Sequence, residues 1–92
     1  MPILMVHEVS GGTIAQYDQV IRELEAGGNG NPLGRLSHVA APTEDGYLVV
    51  DAWESQEALD RFAQTLGPLL ERAGGPAPPP RVYPVHNAIP RA

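Results

Sequence analysis

Ten glycines and ten prolines in a chain of 92 residues gather mainly in four clusters, and the clusters end runs of apolar periodicity. Ser10-Gly11-Gly12, Gly27 to Pro32, Pro42 to Gly46 and Gly74 to Pro80 cut the sequence into five segments, each with room for one regular element except Tyr47 to Ala73, which has room for two. Glycine and proline in such numbers accompany disorder in a polar chain, but here they punctuate apolar segments, which is how turns between packed elements read. One domain over residues 1–92 is expected, with no second domain and no long repeat.

Each segment carries its own period. Pro2 to Val9 is an apolar run with weak alternation, and it reads as a buried first strand. Thr13 and Gln16 match a capping box, and Ile14, Tyr17, Val20, Ile21 and Leu24 then recur at helical spacing. Gly27 to Pro32 cannot sustain a helix and forms a connection at a possible pocket rim. Arg35 to Ala41 and Tyr47 to Glu54 alternate as strands about a turn of Pro42-Thr43-Glu44-Asp45-Gly46, which makes a hairpin. Ser55 is a fitting N-cap for a second helix with Leu59, Phe62, Ala63, Leu66 and Leu70 on its inner face, and Gly67-Pro68 is expected to kink it. The proline run is a stiff linker to a last strand, Arg81 to Ala88. The order strand-helix-strand-strand-helix-strand, with right-handed crossovers, predicts an α+β fold: one antiparallel sheet ordered 4-1-3-2 with both helices on one face.

Alternation sorts every strand residue onto one of two faces. Leu48, Val50 and Ala52 form a smooth aliphatic set, assigned to the helix side together with Leu4, Val6, Val39, Ala41, Tyr83 and Val85. The other set holds Ile3, Met5, His7, Leu36, His38, Ala40, Tyr47, Val49, Asp51, Trp53, Val82, Pro84 and His86. It is too apolar to face water, so it is expected to pair with a second copy of the chain and enclose a pocket between two sheets. Burying about five of its larger apolar groups would contribute roughly 7 to 15 kcal/mol before association costs. A chain this short buries only roughly 60 to 65% of its unfolded surface, so that help matters.

The bulk numbers exclude several classes. A net charge of -5 with six dispersed basic residues leaves no positive stripe for nucleic acid. The apolar N-terminus stops at His7 and Glu8 without a basic leader, so neither a signal peptide nor a membrane span is expected. The lack of cysteine removes disulfides and thiolate metal sites and fits a cytoplasmic setting. No phosphate loop or nucleophile elbow occurs.

If the hairpin pairs Pro42 with Tyr47, its register sets His38 across from Asp51. A carboxylate beside an imidazole fixes the tautomer and raises basicity, which a general base needs; the alternative is a cross-strand polar pair without chemistry. His7 and His86 lie on neighbouring strands running oppositely, toward opposite ends of the sheet, so a three-histidine metal site within one subunit is not expected. Trp53 offers a stacking surface and Tyr47 a phenolic donor.

The stretch Asp45-Gly46-Tyr47-Leu48-Val49-Val50-Asp51-Ala52-Trp53-Glu54-Ser55-Gln56-Glu57-Ala58-Leu59-Asp60-Arg61-Phe62, within this layout, resembles the third-strand and second-helix junction of the dimeric α/β-barrel superfamily, a ferredoxin-like fold that includes the antibiotic biosynthesis monooxygenases. The resemblance spans nearly the whole chain. It implies a homodimer, and it sets Trp53 at the place of a pocket tryptophan and His7 where related branches often carry asparagine. The second helix has no histidine, so the axial ligand of the heme-degrading branch is missing. The superfamily includes cofactor-independent oxygenases, polyketide cyclases and members without known activity. The expectation is a small homodimeric pocket protein of secondary metabolism, a cofactor-independent oxygenase or cyclase acting on a small apolar, aromatic or polyketide-like metabolite. In it, His38 with Asp51 removes a proton, His7 steadies the resulting oxyanion, and Trp53, Met5, Val49, Tyr47 and His86 line the pocket. The alternatives are a non-catalytic small-molecule-binding protein and a heme- or metal-binding member that uses His7 or His86.

Overall fold

The computed structural model describes residues 1–74 and 78–90; part of the proline linker, at 75–77, lies outside them. The element order is β1 (Ile3–Ser10), α1 (Ile14–Ala26), β2 (Arg35–Pro42), β3 (Gly46–Trp53), α2 (Gln56–Gly74) and β4 (Arg81–Pro84). The strands form one antiparallel sheet in the order β2-β3-β1-β4, which is the expected 4-1-3-2 arrangement read from its other edge.

Local chemistry starts and ends these elements. Thr13 Oγ1 accepts from the Gln16 backbone N–H at 3.1 Å while the Gln16 side chain accepts from the Thr13 N–H at 2.9 Å, so two orphan amides of α1 are satisfied. Ser55 Oγ accepts from the Ala58 N–H at 3.1 Å and opens α2 in the same way. The helix runs from Gln56 through Pro68 to Gly74. Pro68 brings no N–H to the carbonyl of Gln64, but Gln64 is exposed and water can serve that oxygen. The last strand is shorter than expected, ending at Pro84 rather than Ala88, although the Val85 N–H still bonds the Pro2 carbonyl at 3.0 Å.

The hairpin register is the expected one: Pro42 opposes Tyr47, Val39 opposes Val50 and His38 opposes Asp51. A β-bulge interrupts it between Arg35 and Ser37. Gly46 permits the close crossing of β3 and β1, since a Cβ there would lie 1.9 Å from the Val9 carbonyl oxygen.

The face assignment is the reverse of the one expected. Ile3, Met5, His7, Tyr47, Val49, Asp51 and Trp53 are buried, and they pack beneath α1 and α2 with Val20, Leu24, Ala58, Leu59 and Phe62. The aliphatic set lies on the opposite side, where Val39 is 64% and Tyr83 47% exposed. Trp53 is fully buried, 5.4 Å from the Phe62 ring between centroids. Both faces were apolar enough to be covered, and the polar groups decide between them. His38 and Asp51 find partners on α1 and in Trp53, whereas the aliphatic residues carry no side-chain polar atom that a helix must satisfy.

Candidate functional site

The pocket forms within one chain, between the sheet and its helices, and not between two sheets. It is a cavity of about 280 Å³, floored by Met5, His7, Tyr47, Val49 and Asp51 and roofed by Tyr17, Val20, Phe62 and Leu66, with Pro78 to Pro80 along one wall. That volume suits a ligand of one to three small rings at the lower end of the usual range.

A line of hydrogen bonds runs into it. Trp53 donates its indole Nε1–H to Asp51 Oδ2 at 3.2 Å, and His38 Nδ1 lies 2.6 Å from Asp51 Oδ1. An indole N–H only donates, so Asp51 accepts from it, and the Asp51 carboxylate then accepts the proton-bearing Nδ1 of His38 as well. In neutral His38 that leaves Nε2 as an acceptor, and it receives the Tyr17 hydroxyl at 2.6 Å. The Tyr17 and His38 rings lie within 7° of parallel. Burial pushes the Tyr17 hydroxyl above its ordinary pKa of 10.0, against the opposing pull of the nearby Arg35 charge. Tyr17 therefore stays a neutral donor at physiological pH. Burial raises Tyr47 in the same direction, and its ring meets Tyr17 edge-on at 5.6 Å.

His7 is buried and lines the cavity two residues along β1 from Met5; its Nε2 lies 2.8 Å from the Pro78 carbonyl oxygen. A carbonyl only accepts, so Nε2 carries the proton, and neutral His7 keeps Nδ1 as its unprotonated nitrogen.

His38, Asp51, His7, Met5, Val49 and Tyr47 thus share one cavity. Two expected positions do not join them. Trp53 is core: it holds Asp51 from behind and leaves no face for a ligand to stack on. His86 is exposed beyond the end of β4 and lies outside the cavity lining. Leu36 also leaves the pocket face, 43% exposed, because the bulge turns it out and brings Arg35 opposite Trp53.

Three contributors were not foreseen in the sequence. Tyr17 read only as one member of the apolar stripe of the first helix, although a tyrosine there places a hydroxyl over the sheet. Arg35 was named on neither face, and because it sits one residue before the bulge, simple alternation would have set it with Ser37 and Val39 and away from His38. Phe62 was placed on the inner face of the second helix, but nothing marked it as a pocket residue.

No family model and no curated protein matches the chain. Solved structures do. SnoaB, a cofactor-independent oxygenase from Streptomyces nogalater, is 12% identical over 98% of this chain and 97% of that one, with TM-scores of 0.66 for a mutant and 0.62 for a second structure. A monooxygenase from the gene ActVA-Orf6 of Streptomyces coelicolor, in complex with the ligand nanaomycin D, is 22% identical over 95% of this chain and 89% of that one, with a TM-score of 0.53. The chain has the ferredoxin-like fold of these antibiotic biosynthesis monooxygenase-like proteins, as the resemblance implied.

Proposed function

We propose that the chain is a small homodimeric enzyme that removes a proton from a small aromatic or polyketide-like metabolite without a cofactor, as an oxygenase or a cyclase. The observation that carries this is the Asp51-His38-Tyr17 line ending at an apolar cavity. Asp51 holds the His38 proton on Nδ1 and stabilises the imidazolium that forms when Nε2 takes a second one. Because Tyr17 occupies Nε2, a substrate C–H or phenol proton reaches the imidazole through the Tyr17 oxygen. Tyr17 accepts that proton while passing its own to His38, and no tyrosinate needs to accumulate. His7, on the neighbouring strand, is placed to meet the oxygen on which charge develops, provided that Nδ1 carries a proton at that moment.

In an oxygenase the carbanion left behind adds dioxygen, and loss of water from the resulting peroxide converts the methylene to a carbonyl; in a cyclase the same carbanion attacks a carbonyl carbon. Both begin with one proton transfer. The likeness of the fold to SnoaB supports the oxygenase branch. The uncovered aliphatic face, with Val39 and Tyr83 most exposed, supports pairing with a second copy through the outer side of the sheet. No helix among the described residues is long and apolar enough to cross a membrane, which accords with action in the cytoplasm.

The shared first step gives the test. An aryl ketone with an acidic methylene, such as anthrone, is incubated in deuterated buffer without oxygen, and exchange at the methylene is followed by NMR. The wild type is expected to accelerate exchange, and His38→Ala to lose about 100-fold or more of that acceleration, the usual contribution of a positioned base. Equal exchange in the wild type and His38→Ala would remove the general-base assignment. Oxygen uptake in the aerobic reaction then separates the two branches.

A further inference from the structure

Arg35 is the only lysine or arginine among the described residues that line the cavity. One terminal nitrogen donates to the Gly30 carbonyl at 2.9 Å. None of the ion pairs among the described residues includes it. The guanidinium is partly buried and lies 6.0 Å from the centroid of the Phe62 ring, which forms part of the pocket roof. A guanidinium offers five N–H donors in a planar fork, so most of this donor capacity is unspent on the protein.

The backbone goes out of its way to bring it there. Without the bulge, Arg35 would share the outer face with Ser37 and Val39; with it, Arg35 opposes Trp53 on the helix side. Gly34, at φ +91°, precedes it, and a Cβ at that position would lie 2.6 Å from the Ala58 Cβ, so the chain enters β2 pressed against α2. Glu71, the remaining acidic residue of the lining besides Asp51, stands nine residues beyond Phe62 on α2, about 14 Å along the helix axis. It is too far to neutralise Arg35. The cavity therefore has a positive end at Arg35, and the proton-accepting line sits about 7 Å away along β3, the rise from Trp53 to Asp51.

We infer that Arg35 recognises a carboxylate, and that the ligands of this pocket are small aromatic acids, held with the carboxylate on the guanidinium fork and the ring system against Phe62 and Val49. A planar carboxylate matches two parallel N–H groups, and an apolar surround with few competing waters strengthens that pair. The inference rests on the cavity being a substrate site as proposed above, and it adds the charge that a substrate must carry.

The test uses matched ligands that differ in charge and by one methyl group: 2-naphthoate and methyl 2-naphthoate, titrated by calorimetry into the wild type, Arg35→Met and Arg35→Lys. The wild type is expected to bind the acid at least about tenfold more tightly than the ester, Arg35→Met to lose that preference, and Arg35→Lys to keep part of it. Ester binding by Arg35→Met within about twofold of wild type shows that the pocket is intact. A preference unchanged in Arg35→Met, an ester bound as tightly as the acid by the wild type, or no binding of the acid at millimolar concentration would overturn the inference. Deuterium exchange that depends on His38 while the acid preference fails would overturn the charge assignment alone. An acid preference that depends on Arg35 without any exchange activity would overturn only the enzymatic reading.

Discussion

The two faces of this sheet have the same alternating origin and opposite composition. Beneath the helices lie His7, His38, Asp51 and Trp53, hydrogen-bonded to one another or to helix and linker groups, with Tyr47 packed edge-on against Tyr17. On the outer side lie Leu4, Val6, Val39, Leu48 and Val50, smaller and without polar side-chain atoms. The face that looks functional is the one covered by the chain itself, and the featureless one is left for another surface. Buried polar groups need fixed partners at short range, which a packed helix such as α1 supplies through Tyr17. A flat aliphatic layer needs only another apolar layer, and a second copy can provide that without any special geometry.

The sharpest way to break this comparison is a charge on the outer face. Val50 lies at its centre, directly opposite Val6 on one side and Val39 on the other. If the face is covered by a second copy, Val50→Asp buries two carboxylates in one interface at a cost of several kcal/mol each, and self-association weakens by more than about a hundredfold. Light scattering at micromolar concentration is expected to show a dimer for the wild type and a monomer for the variant. A wild type that is already monomeric, or a variant that remains dimeric, would leave the outer face without its proposed partner.

The helix-side face is tested next through its most buried member. Trp53→Ala removes the packing on Phe62 and the N–H that Asp51 Oδ2 accepts, and about 3 to 5 kcal/mol of stability is expected to go with it. Trp53→Phe keeps most of the volume and loses the hydrogen bond, for about 1 to 2 kcal/mol. Urea denaturation at one fixed protein concentration reads both, since dimerisation would otherwise enter the comparison. A loss under about 1 kcal/mol for Trp53→Ala would mean that the indole is not in the core after all.

Much of this arrangement could be read from residue order, and what could not has definite physical reasons. The capping box at Thr13 and Gln16, the apolar stripes of both helices and the turn that sets His38 against Asp51 are local, and local chemistry fixes them. The choice of face is not local. Parity separates Leu48, Val50 and Ala52 from Tyr47, Val49, Asp51 and Trp53, but it does not say which set a helix will cover when both are apolar. Here the hydroxyl of Tyr17 was the missing signal, because a polar tip on an otherwise apolar helix stripe needs a partner on the sheet beneath it. Arg35 was hidden for another reason: a bulge of one residue reverses parity, and nothing in the run Gly34-Arg35-Leu36-Ser37 announces it.

The smallest expected effect bears on that same hydroxyl. Tyr17 and Tyr47 are both raised above 10.0 by burial, so between the unfolded and folded values the unfolded chain has released protons that the native state still holds. Stability from these two groups is then fully present below about pH 10 and is lost as pH rises through the folded values. The sequence contains no lysine and no cysteine, so tyrosines are the side chains that titrate in this window. Unfolding free energy is expected to be level from pH 8.5 to 9.5, as an order-of-magnitude window, and to fall above roughly pH 10. In Tyr17→Phe the fall should be shallower, with the remainder belonging to Tyr47. A fall of the same steepness in Tyr17→Phe would show that the fold does not hold this hydroxyl neutral, and the proton path from the cavity to His38 would then need another carrier.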